Sequence, residues 1–143
     1  MRRILAIILL ALCAMSLWAK KEEEPIESLK QRAEAAEGSK QIELLVKVAQ
    51  RQMQAADQLF DQGTTDQAQA AVQDVLTYSL RAIQQAKDTR KRMKHTEIDI
   101  RKLTDHMNDM KRSLSVDDRP PVAAAIEKID KARSDLLTAM FKR

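Results

Sequence analysis

Residues 65–113 read TDQAQAAVQDVLTYSLRAIQQAKDTRKRMKHTEIDIRKLTDHMNDMKRS and contain neither glycine nor proline. Apolar or small side chains recur in this run at steps of three and four residues, which is the spacing of a heptad seam. The seam comprises Ala68, Val72, Val75, Ser79, Ala82, Ala86, Thr89, Met93, Thr96, Ile100, Leu103, Met107, Met110 and Leu114. Because the register crosses the polar residues 88–92 without a slip, the pattern favours one helix of ~73 Å over two helices with a break there.

Glycine and proline mark the helix ends on both sides of this run. Gly63 is a helix stop, and Thr64 stands three residues before Gln67, as in a capping box that begins the next helix. Pro120 and Pro121 force a turn after the run. The pattern therefore predicts helices at about 39–62, 65–113 and 121–142, within a helical domain over residues 39–143.

The segment before this domain is short and charged. Residues 20–24 read KKEEE, and Pro25 is suited to the first turn of a helix. A weak apolar stripe follows, until Gly38 and Ser39 interrupt it. Residues 20–38 are therefore predicted as a charged leader and a short amphipathic helix, with Ser39 as the cap of the helix that follows.

Composition places the chain in the all-α class. Ala, Gln, Lys, Arg, Glu and Leu dominate after residue 19 and are strong helix formers, and no stretch alternates with the period of a strand. Short connections make sequential helices antiparallel neighbours. We therefore predict an elongated antiparallel helical bundle or coiled coil, with two shorter helices packed along one long central helix. Its core is thin and rich in alanine, and pairing of two chains along the seam would bury more surface.

The N-terminus has the pattern of a secretory signal peptide. Arg2 and Arg3 precede an apolar run that ends at Ala19, the favoured cleavage site, with cleavage after Ser16 as the alternative. We predict residues 1–19 as an export signal and the mature protein as periplasmic or secreted. An uncleaved inner-membrane anchor is the alternative reading, although the apolar run is shorter than the ~20 residues of a spanning helix.

Cleavage would change the chemistry of the chain. It would remove Cys13 and Trp18, the single cysteine and the single tryptophan. The mature chain would then have no disulfide, thiol nucleophile or thiolate metal site. Loss of Arg2 and Arg3 leaves 23 basic residues against 21 acidic ones, which is a net charge of +2. We therefore expect no nucleic-acid partner for this weakly charged exported chain.

The sequence holds no catalytic constellation. His95 and His106 share a helical face but stand ~16 Å apart. The chain lacks a glycine-rich phosphate loop and a glycine-flanked serine. Asp105 and Asp109 form a carboxylate pair with no pocket to make it an acid–base site. We predict a protein that is not an enzyme, with no catalytic, cofactor-binding or metal-ligating residues.

A cluster of cations follows the middle of the long run. We select Lys87, Arg90, Lys91, Lys94 and Arg101 as a candidate basic binding face. Most of these side chains lie along one side of a continuous helix, away from the seam. Such a face suits anionic lipid head groups, an acidic cell-wall polymer or an acidic protein. The alternative interpretation is the solvated outer face of a coiled coil.

The rear half of the seam is a candidate helix interface. Its members are Met93, Ile100, Leu103, Met107 and Met110. Three of them are methionines, which with His106 suggest Cu(I) ligands. Methionine also fills gaps between packed helices. The seam spacing favours this packing role.

Residues 49–82 resemble a single tetratricopeptide hairpin. The matching positions are Ala56, Leu59, Gly63, Ala68 and Val72. Gln52 replaces the expected early tryptophan, and Leu80 replaces the closing proline. The family binds peptides in a groove built by several repeats, and no second copy follows here.

The outline of the chain is also similar to exported helical chaperones of the Spy and CpxP type. They share its size, a signal peptide, a long helical hairpin and a basic surface. Leu103 and Thr104 match the start of their Leu-Thr-x-x-Gln motif, but Met107 stands in place of the glutamine. This resemblance implies a periplasmic chaperone or stress protein.

We therefore expect an exported, non-catalytic helical protein that acts in protein–protein interaction or envelope scaffolding. Its expected partners are another protein or a second copy of itself, with an anionic envelope component as an alternative. A membrane is a partner only if the signal stays uncleaved. The alternative function is a Spy-like chaperone that uses a basic helical face.

Overall fold

The computed structural model of the protein describes residues 23–142, which form five helices and no strand. The helices are α1 (Ile26–Ala35), α2 (Gly38–Asp61), α3 (Thr65–Thr89), α4 (Met93–Ser113) and α5 (Arg119–Phe141). They pack around one apolar core, so the predicted all-α class and helical bundle are confirmed. None of these helices is both long and apolar enough to cross a membrane. The predicted signal at residues 1–19 lies outside the described residues.

The turn between α2 and α3 lies at Gly63, as predicted. Gly63 has a φ of 75°, a left-handed conformation that glycine adopts without steric cost. Its N–H bonds the Phe60 carbonyl, and the Thr64 N–H bonds the Leu59 carbonyl, both at 3.0 Å. These two bonds form a Schellman motif that satisfies the last carbonyls of α2. The predicted capping box is wrong, because the Thr64 hydroxyl donates to the Leu59 carbonyl and does not accept from Gln67.

The predicted interruption of the helices at Gly38 is confirmed by the turn between α1 and α2. Pro25 precedes the first residue of α1, and Gly38 is left-handed with a φ of 57°. The predicted cap at Ser39 is wrong. Glu37 is the N-cap residue of α2, and no side chain bonds to its first free N–H groups.

The predicted single helix over residues 65–113 is wrong. The chain leaves the helical conformation at residues 90–92 and folds back, so that α4 runs beside α2. Met53 of α2 and Leu103 of α4 line one crevice, and His106 Nε2 lies 3.9 Å from Asp57 Oδ2. A straight continuation would leave the rear seam covered by α5 alone. The reversal packs α4 against α2, α3 and α5, which removes more apolar surface from water.

The four long helices have similar lengths, so the predicted pair of short helices along a long one is also wrong. Helices α2 to α5 contain 24, 25, 21 and 23 residues, which is ~32–38 Å each. Gln52 of α2 bonds Asp74 of α3, and Arg133 of α5 bonds Glu97 of α4. Helix α5 contacts both α3 and α4.

The heptad seam forms the inner faces of both α3 and α4. Twelve of its fourteen positions are buried, and the two half-buried ones, Thr89 and Met93, border the break. Apolar side chains of the other long helices join them in one core. Ile42, Leu45, Ala49, Met53, Val122, Ile129 and Leu136 are fully buried. The seam pattern therefore marked a core that lies within one chain.

Helix α1 packs on α2 through a small apolar contact, and its polar side chains reach α3. Leu29 and Ala33 are fully buried there. Lys30 Nζ donates to Asp74 Oδ2 at 2.8 Å, and Gln52 Nε2 donates to the same oxygen at 2.8 Å. The contact with Asp74 raises the pKa of the Lys30 ammonium above its ordinary value.

A second ion pair binds the end of α1 to α3. The two terminal nitrogens of Arg81 donate to the two carboxylate oxygens of Glu34 at 2.6 and 3.1 Å. These bonds hold the pKa of the Glu34 carboxyl below its ordinary value. Two cations lie near the Tyr78 ring, whose centroid is 5.7 Å from Lys30 Nζ and 5.5 Å from Arg81 Cζ. Polar and cation–π contacts therefore supply much of the attachment of α1.

Candidate binding surface at the basic end of the bundle

The connection between α3 and α4 is a strained elbow made of Arg90, Lys91 and Arg92. Arg90 has φ and ψ of 58° and 20°, and Arg92 has 53° and 20°. Non-glycine residues in this left-handed region cost about 1–2 kcal/mol each. The Thr89 hydroxyl donates to the Gln85 carbonyl at 2.7 Å and accepts the Lys91 N–H at 3.3 Å. The elbow is therefore a defined turn whose hydrogen bonds help to hold the two left-handed residues.

Arg90 joins the elbow to the end of α5. Its guanidinium donates to the Ala139 carbonyl at 2.8 Å and to the Lys142 carbonyl at 3.1 Å. The last carbonyls of a helix have no partner within the helix and carry partial negative charge. Arg90 thus acts as a cap for α5 and holds Phe141 and Lys142 beside the elbow.

Lys91 reaches towards the connection between α1 and α2. A Cβ atom added at Gly38 would lie 3.5 Å from Lys91 Nζ. The elbow, the start of α2 and the end of α5 therefore meet at the same end of the bundle. We call this region, with Lys87, Arg90, Lys91, Arg92, Lys94 and Lys142, the basic end.

Several cations of the basic end have no ionic partner among residues 23–142. No carboxylate in this range lies within 4.0 Å of the side-chain nitrogens of Lys87, Lys91, Arg92 or Lys94. Asp88, the acidic residue within this cluster, accepts a hydrogen bond from Gln84 Nε2 at 2.7 Å. The positive charge of the elbow is thus left for solvent or a ligand.

The predicted basic face is only partly assembled. Lys87, Arg90, Lys91 and Lys94 come together, but around a turn and not along one side of a helix. Arg101 lies ~10 Å further along α4, where its Nε is 3.7 Å from Glu97 Oε1. The continuous stripe is therefore wrong, because a stripe needs the helix that the elbow interrupts.

Glu97 is the centre of an ion-pair network between α4 and α5. Arg133 donates to Glu97 Oε1 at 3.0 Å, and its Nε lies 3.5 Å from Asp130 Oδ1. The Glu97 side chain is 12% exposed, and that of Arg133 is 24% exposed. Arg101 adds a second cation to the same carboxylate. The network joins two helices and assigns Arg101 a partner within the chain.

Phe141 adds an apolar group to the basic end. Its side chain is 82% exposed, and the one other exposed large hydrophobic residue within 23–142 is Val116, in the connection between α4 and α5. This exposure was not predictable from the sequence, because Phe141 lies four residues after Leu137 and continues the apolar pattern of α5. Arg92 was also missing from the predicted basic binding face. The density of cations at residues 90–92 was the signal that identified its neighbours.

The candidate helix-interface seam is occupied within the chain. Ile100, Leu103, Met107 and Met110 are at most 4% exposed, and Met93 is half-buried. A helix of another molecule has no access to these buried side chains in the folded bundle. The methionines contact core residues of the neighbouring helices.

The crevices of the bundle are open and shallow. One of about 210 Å³ between α2 and α4 is lined by Gln50, Met53, Gln54, Asp99, Lys102, Leu103 and His106. Another of about 350 Å³ lies at the turn formed by residues 63–67. Within residues 23–142, no three His, Cys, Asp or Glu side chains gather closely enough to hold a metal ion.

Comparison of the chain with protein-family models, with curated proteins and with solved structures finds no match. The resemblances to a tetratricopeptide hairpin and to Spy and CpxP chaperones therefore stay predictions. Helix α1 lies against α2 and reaches α3 through the side-chain bonds Lys30–Asp74 and Arg81–Glu34. The function of the chain is inferred from the geometry of its own residues.

Proposed function

We propose that this protein is an exported, non-catalytic helical protein that binds another protein or helps to organise an envelope structure. The observation that carries the proposal is the basic end. Four cations without an ionic partner in residues 23–142 lie there beside an exposed phenylalanine. A packed bundle presents these groups in a defined arrangement, which lowers the entropy cost of binding.

The described residues support binding more than catalysis. The α2–α4 crevice contains Asp99, Lys102 and His106, but it is open to water. An active site usually needs a deeper concavity that excludes water and holds its groups in a fixed arrangement.

Self-association is the second form of this proposal, and it requires a surface other than the seam. The buried seam is used inside the chain, so a second copy has to bind through exposed residues. An anionic envelope component is the third form, since it would meet the same cations. All three forms place the ligand on the outside of the bundle.

The alternative function is a Spy-like periplasmic chaperone. The basic end favours it, because such chaperones share a basic surface. The scarcity of exposed apolar surface argues against it, because a chaperone needs such surface to bind the apolar groups that unfolded clients expose. Aggregation of an unfolded client at equimolar protein tests it, and no slowing of aggregation would remove it.

Export itself has a simple test. Cleavage after Ala19 would remove Trp18, the single tryptophan of the chain. Protein purified from the cell envelope should therefore lack tryptophan fluorescence. Its measured mass should equal that of a chain whose first residue is Lys20. Retained tryptophan fluorescence in the envelope fraction would support the anchor reading.

The decisive experiment is chemical cross-linking in the intact cell envelope, followed by mass spectrometry of what is attached. One partner at fixed stoichiometry, or cross-links only between copies of this protein, is expected for a scaffold or adaptor. A broad scatter of unrelated exported proteins would support the chaperone and overturn the preferred function. A compact protein with no cross-linked partner would overturn both.

A further inference from the structure

Arg92 is the residue of the basic end that the fold explains least. Its left-handed backbone, with a φ of 53°, favours glycine or asparagine over arginine. Arg90 shares this conformation, and its bonds to the Ala139 and Lys142 carbonyls give its side chain a structural role. The Arg92 guanidinium makes no hydrogen bond to any group of residues 23–142. Its charge is thus available to a ligand.

The charges around Arg92 form a compact patch. Lys91 and Lys94 are exposed on either side of it, and Lys87 is half-buried in the last turn of α3. Phe141 stands beside them because Arg90 holds the end of α5 at the elbow. Arginine and aromatic side chains are enriched among the residues that dominate protein interfaces.

Acidic residues at the same end distinguish a protein ligand from a membrane. Glu37 and Asp88 are exposed, next to Gly38 and the elbow respectively. A flat anionic lipid surface would meet these carboxylates together with the cations, and like charges would repel. A peptide segment can place its carboxylates on the cations and avoid Glu37 and Asp88. Charge complementarity therefore favours a protein segment.

Resting on the proposed function, we propose that the basic end binds an acidic segment of a partner protein. Carboxylates of the segment contact Lys91, Arg92 and Lys94, and an apolar side chain next to them packs on Phe141. The bidentate geometry of a guanidinium suits a carboxylate, which gives Arg92 the central position. Lys91 and Lys94 are exposed and Arg92 is half-buried, so salt weakens the ionic contacts by screening.

The test uses the full chain and a fluorescein-labelled synthetic peptide of Asp and Glu around one central Phe. Three variants change the basic end: K91Q/R92Q/K94Q, F141A and R92G. The last variant relieves the strain of the left-handed backbone at this position and removes the charge. The matched control K47Q/K128Q/K131Q removes the same number of charges from exposed positions on α2 and α5. Circular dichroism verifies that each variant is folded.

Fluorescence anisotropy should show that the wild-type chain binds the peptide and that added salt weakens the binding. The triple variant should weaken it by about tenfold or more, and F141A and R92G by about threefold or more. The control triple variant should change Kd by less than about twofold. A peptide with Gln and Asn in place of Glu and Asp should not bind.

Three outcomes would overturn the inference. Equal losses in the two triple variants would indicate general electrostatic attraction without a site. Binding to vesicles of phosphatidylglycerol and phosphatidylcholine, lost in K91Q/R92Q/K94Q while the peptide fails to bind, would assign the patch to a membrane. Absence of peptide binding, together with a cross-linked partner that contacts other residues, would remove this site and leave the proposed function standing.

Discussion

At the residue scale, Arg90 and Arg92 share one backbone conformation but differ in their surroundings. We expect Arg92→Gly to leave the free energy of unfolding unchanged or to raise it by up to about 1 kcal/mol, because relief of the left-handed strain outweighs the entropy that glycine adds to the unfolded chain. Arg90→Gly relieves the same strain but loses two bonds to the end of α5. It should therefore be less stable than Arg92→Gly. Urea unfolding measures both, and the reverse order would contradict this account of the elbow.

Glu97 offers a second test at this scale, since its side chain is only 12% exposed and has cations on both sides. We expect Glu97→Ala to lower the free energy of unfolding by about 1–3 kcal/mol, because the partly buried Arg133 loses its hydrogen bond to Glu97 and keeps only the longer contact with Asp130. Asp109→Ala is the control, since it breaks an exposed pair with Arg112. The control should cost less than about 0.5 kcal/mol. Equal costs in urea unfolding would show that burial of the Glu97 pair adds no stability.

At the element scale, the attachment of α1 should depend on pH. The pKa of Glu34 in the folded chain is lowered below its ordinary 4.5. The stabilisation from its bonds to Arg81 is therefore fully present above about pH 4.5 and is lost as the pH falls through the lower folded value. The ring signals of Tyr78, the single tyrosine, lie at this contact and should change in NMR spectra during acidification.

Glu34→Gln removes the titrating group while α1 keeps its other contacts. We expect this variant to show a weaker acid-induced change of the Tyr78 signals than the wild-type chain. Glu127→Gln, on the exposed face of α5, should behave like the wild type. The same acid response in Glu34→Gln and the wild type would assign the change to other carboxylates of the bundle.

At the scale of the whole molecule, burial of the seam predicts stability that one chain holds by itself. Ile100→Ala should lower the free energy of unfolding by about 2–5 kcal/mol, since it leaves a cavity at a fully buried position. Thermal unfolding of the wild type should have a midpoint that does not change with protein concentration. Val116→Ala, at a position 74% exposed, is the control and should change little. A midpoint that rises with concentration would indicate that the seam pairs two chains.

Local chemistry determined much of this protein before any packing was considered. The helix-forming composition, the glycines at 38 and 63, and the prolines at 120 and 121 predicted the class and most helix ends. The steps of three and four residues identified the buried faces of α3 and α4. These features are readable because propensity, turn geometry and apolar period act over a few residues.

Tertiary structure decided where the long run breaks and which way the chain then turns. Two positions without a glycine or proline became left-handed because reversal buries the rear seam against three helices, and that gain exceeds the local cost of the elbow. The same reversal separated Arg101 from the other cations and brought Phe141 to the elbow. The sequence by itself determined the helices, their inner faces and the cluster of charge. Only the packed bundle decided which of those charges share a surface, because that depends on contacts between residues about fifty positions apart.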